Sequence, residues 1–129
     1  MQHNELSIEI RKLPFEVFNY TLNPDNTPLW VDGIVCEEKD TPTPQLGTRY
    51  RNKSQSGQWN EYEVVDFIPP KTFTFKQLNS MYMVRYSFEA LSGDRTKLTY
   101  AEWMESGELE SPFDMLPLRK LKGLLESQV

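Results

Sequence analysis

Six strand-like segments follow one another between residues 34 and 106, with links too short to hold a crossover helix. They span 34–39, 47–56, 58–68, 72–78, 81–90 and 96–106. Parallel neighbours need a dozen or more connecting residues, so strands joined this closely pair antiparallel, as a meander. The punctuation supports the division. Pro69 and Pro70 stop the third segment, because proline cannot donate to a strand ladder. Asn79–Ser80 offers a hairpin turn, and Leu91–Ser92–Gly93–Asp94 another.

A seventh strand precedes them. Glu5–Leu6–Ser7–Ile8–Glu9–Ile10–Arg11 alternates polar and apolar, the period of a half-buried strand. Pro14 then fits the first turn of a short helix, where its missing N–H would be unbonded anyway. Phe15, Phe18 and Leu22 recur there at helical spacing, with Val17 extending the apolar side. Asn23–Pro24–Asp25–Asn26 makes a turn before a short segment ending near Trp30. At the other end Leu116, Leu118, Leu121, Leu124 and Leu125 form a helical stripe, with Asp114 as candidate N-cap and Pro117 in the first turn. The predicted order is strand, two short helices, six strands, closing helix.

With 129 residues the chain fits one domain, 1–129, large enough for a core without staples. The single Cys36 suits a reducing cytoplasm. The N-terminus carries no signal-peptide pattern, and no run approaches the roughly 18 apolar residues of a membrane span, so stable membrane insertion is not expected. Fourteen Lys and Arg against nineteen Asp and Glu give a net charge of −5. Such a surface repels phosphate backbones, which argues against nucleic acid. The one basic cluster, Arg49, Arg51 and Lys53, reads as the wet face of a strand.

Several pieces carry a resemblance across nearly the whole chain. They are Leu13–Pro14 with Val17, Phe18 and Tyr20; Asn23–Pro24–Asp25 leading to Trp30; and Gly47–Thr48–Arg49–Tyr50. Val64–Val65–Asp66–Phe67–Ile68–Pro69–Pro70, Tyr86–Ser87–Phe88–Glu89 and Thr96–Lys97–Leu98–Thr99–Tyr100 complete the set. In that order they resemble the START-like (SRPBCC) superfamily, in its polyketide cyclase/dehydrase-like branch. The resemblance implies an α+β helix-grip fold: a curved seven-stranded antiparallel sheet around a C-terminal helix, with two short helices after strand 1. It also implies an apolar cavity between sheet and helix. The stretch between Ser111 and Val129 is shorter than the family's closing helix, about 25 Å as a helix, which predicts an open mouth or a small cavity.

Alternation places Tyr82, Val84, Tyr86 and Phe88 on one face of one strand, and Leu98 and Tyr100 on a face of the next. Tyr50, Tyr62 and Val64 join the same concave side, with Phe73 and Phe75. Aromatic bodies with polar tips suit a pocket for an apolar ligand, although most buried rings only fill cores. The expected ligand contacts are Trp30, Tyr50, Tyr62, Val64, Phe75, Tyr82, Val84, Tyr86, Leu98, Tyr100 and Leu121.

Glu102 continues the Leu98–Tyr100 face and is the one weak catalytic candidate, as a general base. The plainer reading is a strand end that turns polar as it meets solvent. Glu61 and Glu63 read as a wet face. His3 is the only histidine, which removes a Ser/His pair and a His-based metal site; no metal and no cofactor is expected. Six dispersed glycines form no phosphate loop. Trp103, opposite in face to Glu102, leaves room for a homodimer. The favoured function is non-catalytic binding or carriage of a small hydrophobic ligand (lipid, polyketide or isoprenoid-like). A cyclase/dehydrase-type enzyme using a pocket carboxylate or tyrosine, and a protein-interaction module, are the alternatives.

Overall fold

A computed structural model describes residues 2–109 and 112–127. The chain runs β1 (Gln2–Ile10), α1 (Pro14–Leu22), α2 (Thr27–Trp30), β2 (Ile34–Lys39), β3 (Arg49–Ser54), β4 (Trp59–Ile68), β5 (Thr72–Gln77), β6 (Tyr82–Leu91), β7 (Arg95–Met104) and α3 (Met115–Glu126). All seven strands form one antiparallel sheet in the order β1-β7-β6-β5-β4-β3-β2. The meander expected from the sequence is present, and β1 returns to pair with the last strand. The chain therefore crosses from one sheet edge to the other through α1 and α2, which lie over the concave face.

Two register shifts help the sheet curl. One falls between Val64 and Asp66 in β4, the other between Ile34 and Cys36 in β2. Each inserts one residue against the partner strand, which bends the strand and raises its twist. The result is a curled half-barrel with α3 at its β1 side, an α+β helix-grip arrangement.

The core forms where the inner strand faces meet the helices. Ile10, Val64, Phe73, Phe88 and Leu98 from the sheet are buried with Val17, Phe18, Leu22 and Trp30 from α1 and α2. The Phe18 ring lies 5.3 Å from both Phe73 and Phe88 in edge-on packing, the preferred arrangement of ring quadrupoles. Phe15 stands apart from the apolar side expected of it, at 52% exposure. It sits at the edge of the Val17–Phe18–Thr21–Leu22 face and in the helix's first turn, where nothing covers it.

The closing helix begins as the sequence predicts: Asp114 accepts a hydrogen bond from the Leu116 N–H at 2.9 Å. Leu118, Leu121 and Leu125 are buried, but Leu116 is 53% exposed. At 100° per residue Leu116 lies some 140° around the helix from Leu121, outside the stripe. With 12 residues α3 is about 18 Å long, and it packs on β1 and α2 rather than across the whole sheet. The parts of the expected tail at 110, 111, 128 and 129 lie outside the described residues.

Candidate functional site

The inner face beyond the reach of α3 is hollow. A cavity of about 110 Å³ is lined by strands β2 to β7, by Thr21, Thr27 and Val31 of the α1–α2 region, and by Phe113 just before α3. It thus lies between the sheet and the α1–α2 segment. No α3 residue lines it, so the position expected for it, between sheet and C-terminal helix, is corrected. The physical reason is length: a three-turn helix fills the β1 side with leucines and ends there.

Seven of the eleven residues expected at the ligand line this cavity: Tyr50, Tyr62, Phe75, Tyr82, Val84, Tyr86 and Tyr100. The other four pack in the core outside its lining. Val64, Leu98 and Leu121 are fully buried, and Trp30 is 1% exposed. Trp30 backs the wall instead, edge-on to Tyr86 at 6.3 Å and to Phe113 at 6.4 Å. Its Nε1–H is buried without a hydrogen-bond partner among the described residues. Phe113 also stacks on Tyr100, at 4.1 Å between centroids, and so closes the cavity from the side.

The tyrosine hydroxyls are unequally engaged. Tyr50 donates to the Leu22 carbonyl at 2.7 Å, which ties β3 to the end of α1. Tyr82 donates to Glu102 Oε1 at 2.6 Å. The Tyr62 and Tyr86 side chains line the cavity with no hydrogen bond among the described residues. Burial pushes the pKa of every one of these phenols upward, so they are neutral donors at physiological pH.

Glu102 is not a solvated strand end. It is 2% exposed and holds three donors: the Tyr82 hydroxyl on Oε1, and the Asn4 amide at 2.8 Å and the Phe113 N–H at 2.6 Å on Oε2. A carboxylate bound this way joins β1, β6, β7 and the segment before α3. It borders a second, outer pocket of about 490 Å³, which shares Tyr62 and Tyr82 with the inner cavity. Those two rings therefore stand between an inner chamber and an outer vestibule.

Sequence reasoning missed Glu37. Strict alternation from the inward Ile34 would point Cys36 and Glu38 inward and Glu37 outward. The bulge between Ile34 and Cys36 reverses this: Glu37 pairs with the inward-facing Asn52, and Glu38 with Arg51 on the outer face. Glu37 then lines the cavity, accepting from Thr27 Oγ1 at 2.6 Å and, more weakly, from Asn52 Nδ2 at 3.4 Å. Burial dominates over those two bonds and pushes its pKa up to about 7. The adjacent Glu37–Glu38 pair opposite Asn52 and Arg51 was the available signal, since Glu38 is claimed by Arg51 at 2.7 Å.

The outer face is wet and ion-paired. Arg49 meets Glu63 at 3.7 Å, Arg51 lies 4.4 Å over the Trp59 ring, and Arg85 lies 5.2 Å over Trp103. Arg49 and Arg51 of the basic cluster are thus paired with carboxylates, and Arg51 and Lys53 cover the Trp59 ring. Among the described residues no group of three or more His, Cys, Asp or Glu is placed to hold a metal ion. No helix among them is long and apolar enough to cross a membrane.

No protein-family model matches the chain, and no curated protein does. Solved structures do match, over nearly the full length. XoxI from Bacillus cereus has a TM-score of 0.77 at 13% identity, covering 98% of this chain and 96% of that one. The Aha1 dimer from Colwellia psychrerythraea has 0.73 at 16%, covering 98% and 97%. Ara h 8.0201 has 0.63 at 13%, covering 98% and 99%. At these identities the likeness is one of fold: a curled antiparallel sheet with a C-terminal helix.

Proposed function

We propose that this chain binds and carries a small, largely apolar molecule in the inner cavity, as a non-catalytic member of the START-like superfamily near its polyketide cyclase/dehydrase branch. The observation that carries the reading is the wall itself: five tyrosines, Phe75 and Phe113 around a void on the inner face of the sheet. The rings supply apolar area, and the free Tyr62 and Tyr86 hydroxyls with Asn52 supply orientation. Each 100 Å² of ligand apolar surface withdrawn from water contributes about 2.5 kcal/mol. The inner chamber admits only a compact group, being smaller than the roughly 150 Å³ that holds benzene. The vestibule beyond Tyr62 and Tyr82 has room for the remainder of the molecule.

Native mass spectrometry of freshly purified protein tests this directly. A co-purified small molecule is expected, and Val84→Phe, which places a ring in the chamber, is expected to lose it while the circular dichroism spectrum is unchanged. A wild-type protein with no bound species, and no thermal shift across a panel of small apolar compounds, refutes the reading.

One observation favours an enzyme as the second reading: Glu37 is a cavity carboxyl whose proton affinity is close to neutrality, the condition for general acid–base work. On that reading Glu37→Gln abolishes turnover of a bound compound and leaves its affinity intact. Glu102 has both oxygens engaged by protein donors and does not line the inner chamber. The homodimer for which the sequence leaves room draws support from the dimeric neighbour from Colwellia psychrerythraea. Sedimentation equilibrium decides it, through a mass of about one or about two chains of 15.2 kDa.

A further inference from the structure

We infer that the inner chamber selects a ligand with a compact ammonium head, methylated or primary, seated between the aromatic wall and the Glu37 carboxylate. This deepens the binding reading above and rests on it. The argument begins with an unbalanced charge. Among the described residues that line the chamber only Glu37 carries an ionisable carboxyl, and none is Lys, Arg or His. The two groups that touch its carboxylate, Thr27 and Asn52, are neutral hydrogen-bond donors, and no ion pair involves it among the described residues. An ionised carboxylate withdrawn from water is costly unless a cation accompanies it. Here the described residues bring none, although its neighbour Glu38 has Arg51.

The rings point the same way. Tyr50, Tyr62, Tyr82, Tyr86, Tyr100, Phe75 and Phe113 surround the chamber, and aromatic faces attract cations through their quadrupoles, most strongly where water is excluded. A phosphate or carboxylate head would meet π-electron density and a like charge. A neutral hydrocarbon head would bring the Glu37 carboxylate no counter-charge. Size agrees as well, since about 110 Å³ suits a group of about four or five heavy atoms, the bulk of a trimethylammonium head. The vestibule bordered by Glu102 and Glu108 continues the negative character outward.

Choline and its uncharged isostere 3,3-dimethylbutan-1-ol separate charge from shape. Titration calorimetry at pH 7.5 on the intact protein is expected to give choline at least tenfold tighter binding. Glu37→Gln, close to isosteric, is expected to remove most of that preference while retaining the alcohol. A wild-type measurement guards against a variant that misfolds. At pH 6.5 choline binding is expected to release protons, seen as a heat that depends on the buffer's ionisation enthalpy, because the cation displaces the proton of Glu37. The groups facing that carboxyl are Tyr50, Tyr62 and Tyr86, whose pKa values are raised and which stay protonated, with Thr27 and Asn52, which do not titrate. Equal affinity for the two compounds, or tighter binding of the alcohol, overturns the ammonium head and leaves the binding reading standing. No heat with either compound, in protein first stripped of the co-purified ligand that native mass spectrometry identified, does the same.

Discussion

Replacing Glu37 by Gln is expected to stabilise the protein at alkaline pH and to change little at acid pH. The magnitude follows from the carboxyl's displacement from its ordinary 4.5 to about 7. A tenfold change in protonation equilibrium corresponds to about 1.4 kcal/mol, so the fully ionised side chain costs the folded state at most about 3.5 kcal/mol. Water reaching the cavity screens the charge, which brings the expected value nearer 2 kcal/mol. The sign is that of an acid whose folded pKa exceeds its unfolded one. The folded state holds the proton more tightly, so the penalty is absent below about pH 4.5, grows as pH rises from there to about 7, and is complete above. Gln keeps an oxygen to accept from Thr27 and carries no charge. Urea denaturation at pH 4.5 and pH 8 checks this. The variant is expected to exceed the wild type by about 2 kcal/mol at pH 8 and by no more than about 0.5 kcal/mol at pH 4.5. Glu126 does not confuse the comparison. Burial raises its pKa, but hydrogen bonds from the Arg11 N–H, Lys122 and the Arg11 guanidinium outweigh that and hold it at about 2. Its contribution is present above 4.5 and fades only as pH falls toward 2. A stability difference of the same size at both pH values refutes the ionisation argument.

Two further substitutions probe the parts that shape the cavity. Glu102→Ala strands the Phe113 N–H and the Tyr82 hydroxyl and removes one of the two acceptors of the Asn4 amide, and is expected to cost about 3 kcal/mol or more and to lower Tm by about 10 °C in calorimetry. Leu121→Ala, in a fully buried position on α3, is expected to cost about 2–5 kcal/mol in urea denaturation. Because Leu121 lies outside the cavity lining, ligand affinity at temperatures where that variant stays folded is expected to be unchanged, as measured by calorimetric titration.

The architecture was legible because its signals are local. Short links between strand segments dictate antiparallel pairing whatever surrounds them, and the alternation in β6 and β7 alone puts Tyr82, Val84, Tyr86, Leu98 and Tyr100 on one face. Asp114 before a leucine stripe announces a helix start because the cap carboxylate and the N–H that donates to it lie two residues apart. The same locality limited the reading of the site. Alternation marks an inward face, but it does not say whether a residue on that face meets a void or a packed neighbour. Val64 and Leu98 met neighbours, whereas Tyr62 and Tyr100 met the void.

Sequence alone determined the strands, their antiparallel order and the aromatic character of the concave face, since each depends on residues close together in the chain. Only the tertiary structure decided where the hollow lies and which charges border it. Glu102 is buried because Asn4 and Phe113, from opposite ends of the chain, arrive at the same carboxylate. Glu37 faces inward because one extra residue in β2 turns the strand over against β3. Both outcomes follow from how distant segments are fitted together, and a period of two or of 3.6 residues carries no record of that fit.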